Sequence, residues 1–394
     1  MSAQKSPITI SVLISTYNRG HFLAQCLDSL LAQTRPPAEI IVVDDGSTDD
    51  TPAVVERYGD TVRYFHQANQ GKAIALNFAI PLAVGSHVCI FDDDDVMLPD
   101  ALERHVDFLE MHPDIDYSYS GKYFYDAYTD ERGDIWDRSQ WRVGQLDACP
   151  PEELLIRTME WNGTLMQGML VPVRCLQAVG LFAEWLLRTQ DYDMMLKLAR
   201  QFRGASIDAI TFVHRNHAGP RGPGSALHAE KSRHAVWHEY DRRLFRALRD
   251  DLALGEYLPR NASLEPVSVL DDGQRFDALY QRALIMFKRG LFEEGGEDIC
   301  LILEQCDLTP TQCKRVADLV RASANIGVAD YVPGAIGLAR KLAGAPRTAH
   351  TRTIRRAAVQ GLYWGLRGSI RRRQTYHVLD FLRALARLAP PSLA

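Results

Sequence analysis

Four short apolar runs alternate with stretches of helical periodicity, and this alternation most constrains what the chain can fold into. Residues 8–14, 40–43, 62–65 and 88–91 are rich in Ile, Val and Phe and have the length of strands buried on both faces. After the first run, Phe22, Leu23, Leu27, Leu30 and Leu31 fall on one helical face, with Asn18 placed to cap them. Thr51-Pro52 reads as a cap followed by a first-turn proline. Residues 72–83 read as a third helix, and Pro99 opens a fourth that ends near Met111. Strand and helix repeating at this spacing predict an α/β fold: a mostly parallel central sheet flanked by helices. Ligands of such sheets bind beyond the carboxyl ends of the strands.

Two of the four strands end in carboxylates. The fourth runs into Asp92-Asp93-Asp94-Asp95 and the second into Asp44-Asp45-Gly46-Ser47. Four consecutive acids leaving a buried strand repel one another unless a cation joins them. Hard divalent cations such as Mg²⁺ or Mn²⁺ prefer such oxygens, often together with substrate phosphates. Aspartates at i and i+2 on extended backbone point the same way, so Asp92 and Asp94 can share a metal, or one can hold metal and the other a sugar hydroxyl. Asp45 is placed to accept a hydrogen bond from the ring N–H of a base, or to serve as a turn cap.

Beyond Asp116 the pattern loosens into an aromatic segment from Tyr117 to Trp141, read as core more than as a sugar-stacking surface. A helix near 151–159, an apolar strand over 165–171 and a helix over 190–200 follow, then a Gly/Pro-rich loop over 214–225 suited to a lid. The domain reading is 1–115 and 116–258 as two halves of one catalytic domain, 259–274 as linker, and 275–394 as a helical C-terminal domain. Residues 276–306 resemble a single tetratricopeptide-like helix pair, too few for an array. Seven scattered cysteines without a Cys-x-x-Cys pair point to reduced thiols rather than zinc or disulfides.

The formal charge of −5 argues against a globally basic nucleic-acid binder, yet it hides an asymmetry. Residues 331–394 carry twelve Lys and Arg against one acid, Asp380. Arg352, Arg355, Arg356, Arg367, Arg371, Arg372 and Arg373 are interleaved with Leu362, Tyr363, Trp364, Leu366 and Ile370. A basic helix of this kind can lie on an anionic membrane, dock within the protein or on a partner, or bind nucleic acid; the first is favoured. No signal peptide opens the chain and no run is long enough to span a bilayer, so a cytoplasmic protein peripheral to the inner face of the plasma membrane is expected.

Together, residues 10–19 (ISVLISTYNR), 40–47 (IIVVDDGS), Asn69-Gln70-Gly71 with Asn77, and Phe91-Asp92-Asp93-Asp94-Asp95 followed by Pro99 resemble the family 2 glycosyltransferases of GT-A fold. The likeness is strong over residues 6–115 and thins towards 220. It implies metal-dependent, inverting transfer of a sugar from a nucleotide-sugar, a UDP-sugar being favoured, to a hydroxyl of a glycan or lipid-linked acceptor, in bacterial surface polysaccharide synthesis. By that resemblance Ser15, Tyr17 and Asp45 hold the base, Asp92 faces the ribose or sugar, and Asp94 is the main ligand of Mn²⁺ or Mg²⁺. The family's catalytic base maps to Asp191, with Asp193 as competitor, and Gln190 stands where a glutamate usual to the family precedes it. His217 is placed to reach metal or diphosphate, and Arg215 or Arg221 to clamp phosphate. Leu76 replaces an arginine often found before Asn77, so Lys72 becomes the phosphate-facing charge. The rival readings are a sugar-phosphate nucleotidyltransferase, which would want a glycine-rich basic loop after the first strand, and a non-catalytic nucleotide-sugar-binding scaffold.

Overall fold

A computed structural model describes residues 7–126, 134–146, 148–161, 163–217, 230–323, 338–339, 341–344, 348–371, 382–386 and 388. The chain divides into two compact units, Met1–Tyr240 and Asp241–Ala394.

The first unit begins with β1 (Ile10–Thr16), α1 (Gly20–Leu31), β2 (Glu39–Asp44), α2 (Thr51–Glu56), β3 (Arg63–His66), α3 (Lys72–Ala79) and β4 (His87–Asp92), in the expected order. These strands lie β3-β2-β1-β4 and all pair in parallel. The chain steps outward from β1 to β3, then returns to place β4 on the other side, so the sheet's switch point lies between β1 and β4. Val12 and Ile14 of β1, Val42 of β2 and Phe91 of β4 pack with Leu23, Cys26, Leu27 and Leu30 of α1, all buried. Each buried leucine contributes about 2 kcal/mol, so the apolar stripe on α1 fixes which face meets the sheet.

Two expected caps are displaced. Asn18 lies in the left-handed region at φ 52° and does not cap α1. Its Oδ1 accepts from the Thr48 N–H at 2.7 Å and its own N–H donates to Ser47 Oγ at 2.8 Å, tying the exit of β1 to the exit of β2. Asp50, not Thr51, precedes α2.

The rest of the unit comprises β5 (Val96–Met97), α4 (Ala101–Met111), β6 (Tyr117–Asp126), β7 (Arg142–Val143), α5 (Leu154–Glu160), β8 (Met169–Pro172), α6 (Val173–Ala178), α7 (Gln190–Gln201) and β9 (Gly204–Asn216). Here the sheet becomes mixed: β8 is antiparallel to both β4 and β6, β6 and β9 are parallel, and β5 is antiparallel to β9. Tyr117, Tyr119 and Tyr125 are buried, as the core reading of the aromatic segment requires, whereas Trp136 is exposed. The strand expected over 165–171 starts late, because Met166–Gly168 forms a 3₁₀ turn. Strand β9 is absent from the sequence reading, and its last residues, 214–216, occupy the start of the expected loop. Residues 218–225 of that loop, Arg221 among them, lie outside the described residues.

The division between units falls inside α8 (Glu230–Asp251), so residues 241–258, expected with the first unit, fall in the second. The expected linker is partly packed: Arg260 is buried, and the Val267 carbonyl lies so close to Gly255 that a Cβ there would sit 1.8 Å from it. Asp271 then caps α9 (Asp272–Lys288) through a capping box with Gln274. Helices α9 and α10 (Phe292–Gln305) turn at Gly290, φ 72°, and α11 (Pro310–Ser323) and α12 (Ala349–Arg371) follow. In α12, Ile354, Ala357, Ala358 and Leu362 are buried in the helical core with Val316 and Val320, while Arg352, Arg356, Tyr363 and Arg367 are exposed. Part of the apolar face expected to meet a membrane is therefore used inside the protein. The side chains of Trp364, Leu366, Ile370 and Arg371, and all of Arg372 and Arg373, lie outside what is described. Among the described residues no helix is long and apolar enough to cross a membrane.

Candidate active site

The parallel register sets Ser15 beside Asp92 and Thr16 beside Asp44, so the ends of β1, β2 and β4 are level at the switch point. A cleft opens there, lined by Ser15, Tyr17, Arg19, Asp45, Lys72, Asp92, Asp93 and Asp94 on one side and by Leu186, Arg188, Thr189, Gln190 and Asp191 on the other, with Trp237 at its wall. Residues from six separate stretches of sequence thus meet in one place.

Asp45 holds the entry to α3. Its Oδ1 accepts from Gln67 Nε2 at 2.8 Å and the Gln70 N–H at 2.9 Å, and its Oδ2 accepts from the Gly71 N–H at 2.7 Å. One lone pair on Oδ2 remains for a ligand. Gly71 adopts φ 101°, a conformation that L side chains avoid, and so the loop can deliver Lys72 into the cleft. Lys72 Nζ then stands between Asp92 Oδ1 at 2.7 Å and Asp191 Oδ2 at 2.8 Å. Both carboxylates hold the Lys72 ammonium strongly, overcoming its burial and raising its pKa.

The acid turn is supported from beneath by β9. The Arg215 N–H donates to Asp95 Oδ1 at 2.9 Å, and His214 Nδ1 lies 3.1 Å from Asp95 Oδ2. Arg215 Nε donates to the Asp94 carbonyl at 2.9 Å, and Nη2 to Gln25 Oε1 at 2.6 Å, with the guanidinium 4.5 Å over the Phe22 ring. Arg215 is 1% exposed and does not line the cleft, which corrects its expected role as a phosphate clamp: desolvated and bonded to the Asp94 carbonyl and Gln25, it braces the turn. His217 Nε2 lies 2.9 Å from Asp94 Oδ2, behind the cleft. Arg19 Nη1 donates to Asp93 Oδ1 at 2.8 Å and Asp94 Oδ2 at 2.7 Å from the cleft side. Gln167 donates to Asp92 Oδ2.

Helix α7 begins in the cleft. Its leading residue, Thr189, is held in the left-handed region at φ 60°, a strained state for a β-branched residue of the kind that collects at functional sites. Gln190 and Asp191 follow, and among the described residues Gln190 Oε1 and Asp191 Oδ1 are buried acceptors without a hydrogen-bond partner. Burial pushes the Asp191 carboxyl above the usual range, the Lys72 charge opposes this and Asp92 adds to it. Asp193, the competing choice of base, is placed differently: it pairs with Lys197 at 2.7 Å one turn along α7 and does not line the cleft.

Asp92, Asp94 and Asp95 each place one carboxylate oxygen within 4.8 Å of the others. Burial drives the neighbouring Asp93 carboxyl up to about 6 and raises Asp95 as well. The oxygens that Asp92, Asp94 and Asp95 bring together are hard donors of the kind divalent cations prefer. The residues fit Mg²⁺ or Mn²⁺.

A parallel half-sheet with its switch point over an acid turn, faced by a carboxylate at the start of a later helix, defines the GT-A class of α/β folds. Residues 11–159 match the family model Glycosyl transferase family 2, a likeness confined to that stretch of the chain. An uncharacterized glycosyltransferase of Rickettsia felis is 34% identical over 196 residues, covering 48% of this chain and 31% of that protein. One of Rickettsia conorii is 34% identical over 238 residues, covering 59% and 38%. The chain thus spans about a third of the length of these relatives. Among solved structures, S. aureus TarS 1–349 in complex with UDP-GlcNAc superimposes with a TM-score of 0.53 at 17% identity, covering 93% of this chain and 92% of that one, a likeness of fold.

Sequence reasoning passed over Arg19, Gln167 and His214. Arg19 stood inside a quoted motif and could have been weighed as a partner for the acid run. Gln167 and His214 carry no local signal, because only the pairing of β8 and β9 into the sheet brings them to the turn.

Proposed function

We propose that this protein is an inverting glycosyltransferase that moves a sugar from a nucleoside-diphosphate sugar to a hydroxyl of a glycan or lipid-linked acceptor in bacterial surface polysaccharide synthesis. The observation that carries the reading is the pairing, within one cleft, of a carboxylate-rich turn with two buried acceptors that have no partner among the described residues, Gln190 Oε1 and Asp191 Oδ1. Buried acceptors left unpaired cost free energy, and the hydroxyls of a sugar or an acceptor are the donors that would relieve it.

Ser15 and Tyr17 hold the base, with Asp45 Oδ2 as an acceptor for its ring N–H, and UDP is the favoured nucleotide. Asp94 and Asp92 hold Mn²⁺ or Mg²⁺, and Asp95 completes the oxygen set. The bound ion supplies positive charge to the departing diphosphate. Asp191 removes the proton of the acceptor hydroxyl at Oδ1 while Lys72 fixes Oδ2, so the base has one anchored oxygen and one working oxygen. Its raised pKa brings it nearer the working pH than an exposed aspartate, which suits a general base. Gln190 accepts a hydroxyl of the bound sugar or acceptor.

A panel of nucleotide-sugars, each tested with and without Mn²⁺, checks this directly. UDP-sugars are expected to raise the melting temperature only when Mn²⁺ is present, and a subset to be slowly hydrolysed. A panel in which no nucleotide-sugar stabilises the protein under either condition overturns the reading.

Peripheral attachment is part of the proposal. Arg352, Arg356, Tyr363 and Arg367 are exposed along α12 at spacings that share one helical face, a basic stripe facing away from the helical core. Each such arginine near an anionic surface is worth about 1 kcal/mol. The full chain is expected to sediment with phosphatidylglycerol vesicles but not with phosphatidylcholine vesicles, and the triple Arg→Glu variant at 352, 356 and 367 to remain in the supernatant. Failure of the unaltered protein to sediment with either kind retires the membrane proposal.

A further inference from the structure

Asp94 Oδ2, an oxygen of the carboxylate assigned as main metal ligand, is already occupied twice. Arg19 Nη1 lies 2.7 Å from it and His217 Nε2 lies 2.9 Å from it. A cation that takes this oxygen must displace one of the two. His217 is 2% exposed, with the Phe22 ring centred 5.1 Å away. Arg19 lines the cleft and keeps 19% of its side chain exposed. Its backbone is fixed: the neighbouring Asn18 is tied to Ser47 and Thr48, and the Gly20 N–H donates to Asp49 Oδ2 at 3.1 Å. At Gly20 a Cβ would meet Asp50 Oδ1 at 2.4 Å, so the chain is packed close there. What can move is the Arg19 side chain, and it can leave Asp94 while keeping its second contact, Asp93 Oδ1 at 2.8 Å.

We propose that Arg19 is a resident counter-ion of the acid turn that competes with the divalent cation for Asp94 and thereby makes cation binding conditional on the nucleotide donor. The inference rests on the metal reading above. Four adjacent carboxylates need positive charge whether or not a cation is bound, and Arg19 supplies it across Asp93 and Asp94. A cation arriving alone gains the carboxylates but must displace a charge-assisted hydrogen bond. A cation arriving with a diphosphate gains phosphate oxygens as well, and the displaced guanidinium remains in the same cleft to face that diphosphate. Cation and donor are then coupled through Arg19, and by linkage each strengthens the other equally.

The test measures Mn²⁺ affinity of the full chain, with and without UDP, for the unaltered protein, Arg19→Met and Arg19→Lys, with melting temperatures read in parallel. Arg19→Met is expected to bind Mn²⁺ alone about tenfold more tightly than the unaltered protein, because a competing charge is gone, and to lose a similar factor of the strengthening by UDP. Arg19→Lys, which keeps a cation and the fold should the methionine variant melt, is expected to fall between the two. Damage to the fold would weaken Mn²⁺ binding, so tightening is a signature a merely structural role does not produce. Equal or weaker Mn²⁺ binding by both variants overturns the assignment of Arg19 and leaves the metal reading intact. An unaltered protein that binds no Mn²⁺ even with UDP, and variants that behave the same, overturn both.

Discussion

Asp191→Asn should slow sugar transfer by roughly 10²–10⁴-fold while changing donor affinity by less than about threefold, the pattern of a lost general base. The asparagine keeps the size of the side chain and a polar contact for Lys72, whose other partner, Asp92, is untouched. What it removes is the oxygen that can accept a proton. The pH profile gives an independent reading. Burial holds the Asp191 carboxyl above its ordinary range, so in the unaltered enzyme activity should fall as pH drops through that raised value and the base becomes protonated. In the asparagine variant that acidic limb should vanish from the residual rate. Single-turnover transfer rates and donor titrations measure both quantities, and a variant that turns over within about tenfold of the unaltered enzyme removes Asp191 from the mechanism.

Asp94→Asn is expected to have an effect of similar size by a different route. It takes one charge from the turn while leaving Asp92 and Asp95 in place, so the oxygen set for a cation loses its central member. Transfer should fall by about 10³-fold, and Mn²⁺ should no longer strengthen UDP binding. The contrast between the variants is diagnostic. Asp191→Asn keeps the metal-dependent affinity for nucleotide and loses chemistry, whereas Asp94→Asn loses both. Isothermal titration of UDP at several Mn²⁺ concentrations distinguishes them, and persistence of the full Mn²⁺ effect in Asp94→Asn would separate this residue from the metal.

Where local pattern decides structure, the sequence could be read directly. Strands β1 to β4 and helix α1 are legible because a buried parallel strand must be a short apolar run and an amphipathic helix must repeat every three to four residues. Helix α7 is legible for the same reason, through Met194, Met195 and Leu198, buried on one side. Strand β9 is not. Its early part, residues 204–208, carries one β-branched residue, Ile207, among small and polar ones, and β6 supplies it with parallel hydrogen-bonding partners from Tyr117 to Asp126. The caps at Asn18 and Thr51 fail in the sequence reading because a side chain takes the best partner in space, and for Asn18 that partner lies on the exit of β2.

The sequence by itself determined that acidic strand ends would meet at the carboxyl edge of a parallel sheet, since residue order and hydrophobic period fix where each strand stops. Only the tertiary structure decided how the charges there are distributed: Arg215 beneath the turn as a brace, Arg19 above it as counter-ion, and Lys72 bridging Asp92 and Asp191 across 119 positions of chain between Lys72 and its second partner. Where hydrophobic period is strong, as in β1 to β4 and α1, secondary structure follows from neighbours along the chain. Ion pairing follows from distances of about 3 Å between groups that the fold alone brings together.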